Sequence, residues 1–197
     1  VRELIRAGAD VIKVATTGGV LSSRSDPRHA QFRPDELDVL VAEATAAGRF
    51  VMAHAQGTQG VKNAIAAGIR SIEHGIFLDD EAIEMMLAAG TYLVPTLIAP
   101  MGVLEAVERG VDLPDNVVSK ARDVSQIHRD SVSRAIAAGV RIAMGTDSGV
   151  TRHGDNLREL AEMASLGMSD AQVLRSSTVI AADLLGVTDD FGTLQPG

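Results

Sequence analysis

A short phrase that recurs along the chain constrains its fold more than any other feature. Ala7-Gly8, Ala46-Ala47-Gly48, Ala66-Ala67-Gly68, Ala88-Ala89-Gly90 and Ala137-Ala138-Gly139 each close a stretch with helical patterning. A glycine just past the last helical residue accepts the left-handed backbone that caps a helix, because it has no Cβ to clash there. Each of these glycines is followed by a short run suited to a strand, over residues 10–15, 49–54, 70–74, 92–96 and 140–147. Helix starts agree with this plan. Pro34 with Asp35 and Glu36 suits a first turn, Asp79-Asp80-Glu81 puts acids at a helix N-terminus, and Ser169 with Gln172 has capping-box spacing. Strands alternating with helices predict parallel pairing through crossover helices, which is the α/β class.

The strand tips choose between a barrel and an open sheet. With side chains alternating from face to face, Val11 pairs with Lys13, Met52 with His54, Ile72 with His74, Val94 with Thr96, and Gly145 with Asp147. Each strand therefore ends in a polar side chain one step beyond a small or apolar one. In a β/α barrel that face points inward, with apolar layers below and chemistry at the C-terminal rim. A dinucleotide-binding sheet would instead carry a Gly-rich phosphate turn, and Gly18-Gly19 is only a lone pair. The tips lie five, six, six, six and eight residues past their glycines, so the phase is inexact at both ends. The expectation is one catalytic domain over residues 1–197, a TIM-type (β/α)8 barrel with about five of its eight βα units present.

The chain opens at Val1 in what reads as the tail of a helix, without an initiator Met, and stops at Gly197 in a turn, so both ends look cut. An unclosed arc exposes two sheet edges and one side of its core. Three further strands are expected ahead of Val1, supplied by upstream sequence or by another chain, a homo-oligomer included. Three long connections, residues 16–33, 97–114 and 148–155, leave the rim where loops shape a substrate pocket.

Composition narrows the function. The formal charge is −8, from 26 acidic against 18 basic residues, and only 3% of residues are aromatic, which disfavours phosphate contacts and base stacking with nucleic acid. No apolar run approaches the roughly 20 residues that span a bilayer, so no membrane partner is expected. With no cysteine, disulfides, thiolate metal sites and cysteine nucleophiles are excluded, and the balance leans toward the cytoplasm. Any metal must be held by nitrogen and oxygen.

Two histidines, one aspartate and one lysine converge on the predicted rim. Imidazole nitrogen and carboxylate oxygen suit zinc or a similar divalent ion. Lysine is the misfit, since an ammonium has no lone pair to give. It joins a metal only when neutral or modified, and a carbamate formed with carbon dioxide would make it a carboxylate-like bridge. The bland alternatives are an internal salt bridge or a Schiff-base lysine for Lys13, and a turn-capping side chain for Asp147. By the same alternation Glu73 should face the helix layer, and His128 should lie on a polar helix face.

Val11-Ile12-Lys13-Val14, Ala53-His54-Ala55, Glu73-His74-Gly75 and Gly145-Thr146-Asp147-Ser148-Gly149 together resemble the amidohydrolase superfamily. Thr17-Gly18-Gly19, Val94-Pro95-Thr96-Leu97 and His153-Gly154-Asp155-Asn156 are similar to its imidazolonepropionase-related group, which includes zinc dipeptidases that cleave Xaa-Pro or Xaa-Arg. The resemblance implies two zinc ions bridged by carboxylated Lys13, with His54 and His74 on the second metal and Asp147 on the first. It implies that Asp147 takes the proton of a metal-bound hydroxide as this attacks an amide carbonyl. Gly18, Gly19, Thr96 and His153 are the candidate substrate-binding residues. The family's His-any-His pair on the first strand has no counterpart in this chain, which begins downstream of it. A dipeptide or other small molecule is the expected substrate. Competing readings are a cyclic-amide hydrolase or deaminase of the same superfamily, a Schiff-base lyase using Lys13, and an inactive partial barrel.

Overall fold

A computed structural model describes residues 1–195, so the turn expected at Gly197 lies outside the described residues. The chain runs α1 (Arg2–Arg6), β1 (Val11–Ala15), α2 (Pro34–Ala46), β2 (Phe50–Ala55), α3 (Thr58–Ala66), β3 (Ser71–His74), α4 (Asp80–Ala89) and β4 (Tyr92–Val94). It continues with α5 (Ile98–Glu108), α6 (Asp115–Ala138), β5 (Arg141–Ile142), α7 (Arg158–Ser165), α8 (Asp170–Ser176) and α9 (Val179–Leu185). The five glycines of the repeated phrase all adopt the left-handed conformation, with φ from 67° to 94°. The Asp79 side chain accepts the Ala82 amide, and Ser169 with Gln172 forms the expected capping box.

Every strand pair is parallel, and the strands lie side by side in chain order, β1-β2-β3-β4-β5. A sheet that adds each new strand on the same side winds toward a barrel, whereas a doubly wound sheet reverses direction at a switch point. The outer face of this arc is dry. Ile12, Val14, Val51, Ala53, Ile72, Leu93 and Ile142 pack there against Leu37, Val61, Ile65, Ile83, Met86 and Val132 from the helices. Among the described residues no helix is long and apolar enough to cross a membrane.

Three expectations need correction. The last strand was expected over 140–147 but spans only Arg141–Ile142. Its partner β4 ends at Val94, and Gly145 runs so close to that side chain that a Cβ there would lie 2.3 Å from Val94 Cγ1. The segment 97–114 is not a loop but mostly α5, because Pro100 falls in the first turn, where a helix does not need that residue's amide.

The third correction concerns which face Glu73 takes. Paired residues on neighbouring strands share a face, and the register pairs Lys13 with Met52, Ala15 with His54, His54 with Glu73, and Glu73 with Val94. Glu73 therefore points into the barrel beside Lys13 and His54, while Ile72 joins the helix-facing core. His74 reaches the interior despite its phase because its backbone turns left-handed, with φ of 78°.

Candidate active site

The strained backbone lies at the end of β3 and in the segments that follow β4 and β5. His74, Thr96 and Asp147, with φ of 78°, 51° and 52°, are the only non-glycine residues with positive φ among the described residues. Such conformations are rare, most of all for a β-branched residue, and persist only where the surroundings impose them. Here they swing three side chains toward one cavity of about 480 Å³.

Lys13, His54, His74 and Asp147 all line that cavity, as do Gly18, Gly19 and Thr96. His153 does not. It is exposed on the turn before α7, outside the lining. The two imidazoles meet edge to face, with ring centroids 4.7 Å apart. His54 Nε2 lies 3.0 Å from the Gly18 carbonyl oxygen, and His74 Nδ1 lies 2.7 Å from Thr96 Oγ1. Each ring thus has one nitrogen engaged by a protein oxygen, leaving His54 Nδ1 and His74 Nε2 to face other donors or acceptors. That arrangement is how protein oxygens orient histidine ligands of metals.

Burial keeps both rings neutral. It lowers the His54 pKa, opposed by the Gly18 carbonyl, and holds His74 well below the usual histidine range, with His54 and His128 adding to the effect. Neutral imidazole is the form with a lone pair to give. The two imidazoles and the one carboxylate suit a divalent cation in type, and Lys13 would join them only as a neutral amine or a carbamate. Among the described residues, though, no three His, Asp or Glu side chains already stand close enough to hold an ion together.

Glu73, facing the same interior, accepts a hydrogen bond from Ser71 Oγ at 2.6 Å, and burial pushes its carboxyl up to about 7. The Gly18 backbone passes so near residue 26 that a Cβ would lie 2.3 Å from the Asp26 carbonyl oxygen. Gly18→Ala is expected to destabilise the chain by about 1–3 kcal/mol through this overlap, read by urea denaturation, and an unchanged midpoint would contradict it.

Two buried residues behind the rim were missed or misread. His128 on α6 is not on a polar face. It is 1% exposed, lines the cavity and places Nε2 2.9 Å from the His74 carbonyl oxygen. The signal was present, since Val117, Ala121, Val124, His128, Val132 and Ala135 form one buried stripe at helical spacing. Glu159 on α7 is fully buried, and its two oxygens accept the Leu97 and Ile98 amides at 2.8 and 3.0 Å. It thereby secures the chain directly after Thr96.

Comparison with known proteins bears on the family and the fold. The amidohydrolase family pattern matches residues 1–197. Ochratoxinase of Aspergillus niger is 41% identical over 150 residues, which are 75% of this chain and 30% of that protein. A solved Xaa-Pro dipeptidase with methionine bound in its active site is 40% identical, with a TM-score of 0.92 over 100% of this chain and 48% of its own. A solved prolidase in complex with N-methylphosphonate-L-proline is 31% identical, with a TM-score of 0.92 over 98% of this chain and 47% of its own. The chain thus spans less than half the length of each of these relatives.

Proposed function

The chain belongs to the amidohydrolase family, and from that premise we propose that it supplies the active-site rim of a metal-dependent hydrolase that cleaves the amide bond of a dipeptide, with Xaa-Pro preferred over Xaa-Arg. The observation that supports this most is the convergence on one cavity of Lys13, His54 and His74 from three neighbouring strands and of Asp147 from the segment after β5. Lys13 as its carbamate, His54, His74 and Asp147 are the residues that would hold two divalent cations, zinc by preference, which when bound polarise a carbonyl and acidify water.

The chain's own groups have distinct tasks. Gly18 and Thr96 keep the His54 and His74 rings turned to the cavity by the contacts described above. Asp147 accepts a proton from the attacking water as its oxygen bonds to the carbonyl carbon. It returns that proton to the amine nitrogen as the C–N bond breaks, so one water is consumed and the carboxylate is regenerated. Lys13 becomes a carbamate when its neutral amine bonds to carbon dioxide and a proton leaves.

The preference for proline comes from the apolar part of the cavity wall. Val20, Leu21, Ile76, Ala99, Pro100 and Val103 line it, and Asp147 is the sole carboxylate among the lining residues. A pyrrolidine ring gains from apolar contact alone, whereas a guanidinium would need a buried counter-charge that this wall lacks.

The test supplies the purified protein with zinc and bicarbonate and follows hydrolysis of paired Xaa-Pro and Xaa-Arg dipeptides. Turnover of Xaa-Pro at a kcat/KM about tenfold or more above Xaa-Arg is expected. A carbamate carbon at Lys13, seen by carbon-13 NMR with labelled bicarbonate, should accompany it. Turnover of a cyclic amide or an amidine instead, with neither dipeptide cleaved, would overturn the reading.

A further inference from the structure

Lys120 lies on α6, far along the chain from the rim residues, and every donor of its ammonium is taken up by one loop. Its Nζ donates to the carbonyl oxygens of Gly19 at 3.3 Å, Ser25 at 3.0 Å and Ser22. One turn earlier on the same helix, Asn116 Nδ2 donates to the Ser23 carbonyl oxygen at 2.9 Å. Four carbonyls between Gly19 and Ser25 are therefore fastened to α6. An ammonium offers three donors, and here all three converge on backbone that has no strand or helix of its own to satisfy it.

This loop forms much of the cavity wall. Gly18, Gly19, Val20, Leu21, Ser22 and Ser25 all line it. The same loop carries the Gly18 carbonyl that meets His54 Nε2. Irregular loops at a barrel rim stay in one conformation only where tertiary contacts make opening costly, and hydrogen bonds to a charged group are among the stronger such contacts.

We infer that Lys120 is a positioning residue for the substrate cavity: seated among the Gly19, Ser22 and Ser25 carbonyls, its ammonium clasps the loop against α6 and so sets the wall that a substrate meets. The inference rests on the proposed hydrolase function for its substrate, but not for the clasp itself. Removing the charge while keeping the apolar stem releases the loop from Gly19 to Ser25 and weakens substrate binding, while Gly18 stays held by its own amide on the His29 carbonyl oxygen and Asp147 lies outside the loop.

Lys120→Met is the variant, and two readings are taken on the folded protein. Arg24 sits exposed in the clasped loop, so trypsin cleavage after it reports loop opening independently of any activity. Cleavage about tenfold faster than in the unmodified protein is expected, with an unchanged far-UV circular dichroism spectrum. For a Xaa-Pro dipeptide, KM is expected to rise about tenfold while kcat falls no more than about threefold, the pattern of lost binding rather than lost chemistry. Ser119→Ala, one residue away and outside the clasp, should match the unmodified protein in both. Equal cleavage rates in Lys120→Met and the unmodified protein would overturn the inference, as would faster cleavage with an unchanged KM. If the unmodified protein cleaves no dipeptide, the function fails while the trypsin rates still decide the clasp. Lys120→Gln is read in the same way should Lys120→Met not fold.

Discussion

Asp147→Asn is expected to lower kcat for Xaa-Pro hydrolysis by about 10²- to 10⁴-fold, the usual contribution of a positioned general base and acid. Asparagine has the same shape but cannot take the proton from water, so the loss is chemical rather than steric. The substitution is also undemanding for the fold. The side chain is exposed at the cavity mouth, and its backbone φ of 52° is one that asparagine tolerates as well as aspartate does. Melting temperature should therefore move by no more than about 2 °C, because surface changes of this kind lie within roughly 0.5 kcal/mol. Retention of activity within about threefold would remove Asp147 from the proton path, since a catalytic base accounts for far more than that.

Glu159→Ala is expected to have the largest effect on stability, a loss of about 3–5 kcal/mol. The amides of Leu97 and Ile98 belong to the first turn of α5, where a helix cannot satisfy its own donors, and α5 has no side-chain cap of its own. Glu159 supplies both acceptors from α7. Alanine would leave two buried donors unpaired and a cavity beside them, and this is a large share of the roughly 5–15 kcal/mol that holds a domain together. Urea denaturation measures it, and a loss below about 1 kcal/mol would show that water replaces the carboxylate without penalty.

The same residue makes the effect depend on pH. Burial raises the Glu159 carboxyl from its ordinary 4.5 to about 7, against the pull of the two amides. Between those values the folded chain holds a proton that the unfolded chain has released, so stability falls as pH rises. The margin of the unmodified protein over Glu159→Ala should therefore be greatest below about pH 4.5 and shrink toward pH 7. A margin that widens over that range would contradict the raised value.

Much of the fold was readable along the chain because its signals are local. A glycine cap needs only its own helix, and five of them in step with five apolar runs prescribe alternating elements without reference to anything distant. The candidate rim residues Lys13, His54, His74 and Asp147 were legible for a similar reason, each being a polar side chain within or at the end of its own apolar run. Phase was less secure. Alternation held for Lys13 and His54 but failed for Glu73 and His74, because one left-handed residue reverses the face and no neighbour in sequence announces it.

Element order, helix ends and the polar strand tips follow from short-range chemistry, since capping and alternation act over a few residues. The orientation of those tips does not. His128 supporting the His74 carbonyl, Glu159 holding the start of α5 and Lys120 gathering the loop each join groups 54, 61 or more residues apart. Such contacts exist only once the helices have docked on the sheet, and docking is also what sustains three strained residues that no local preference would select.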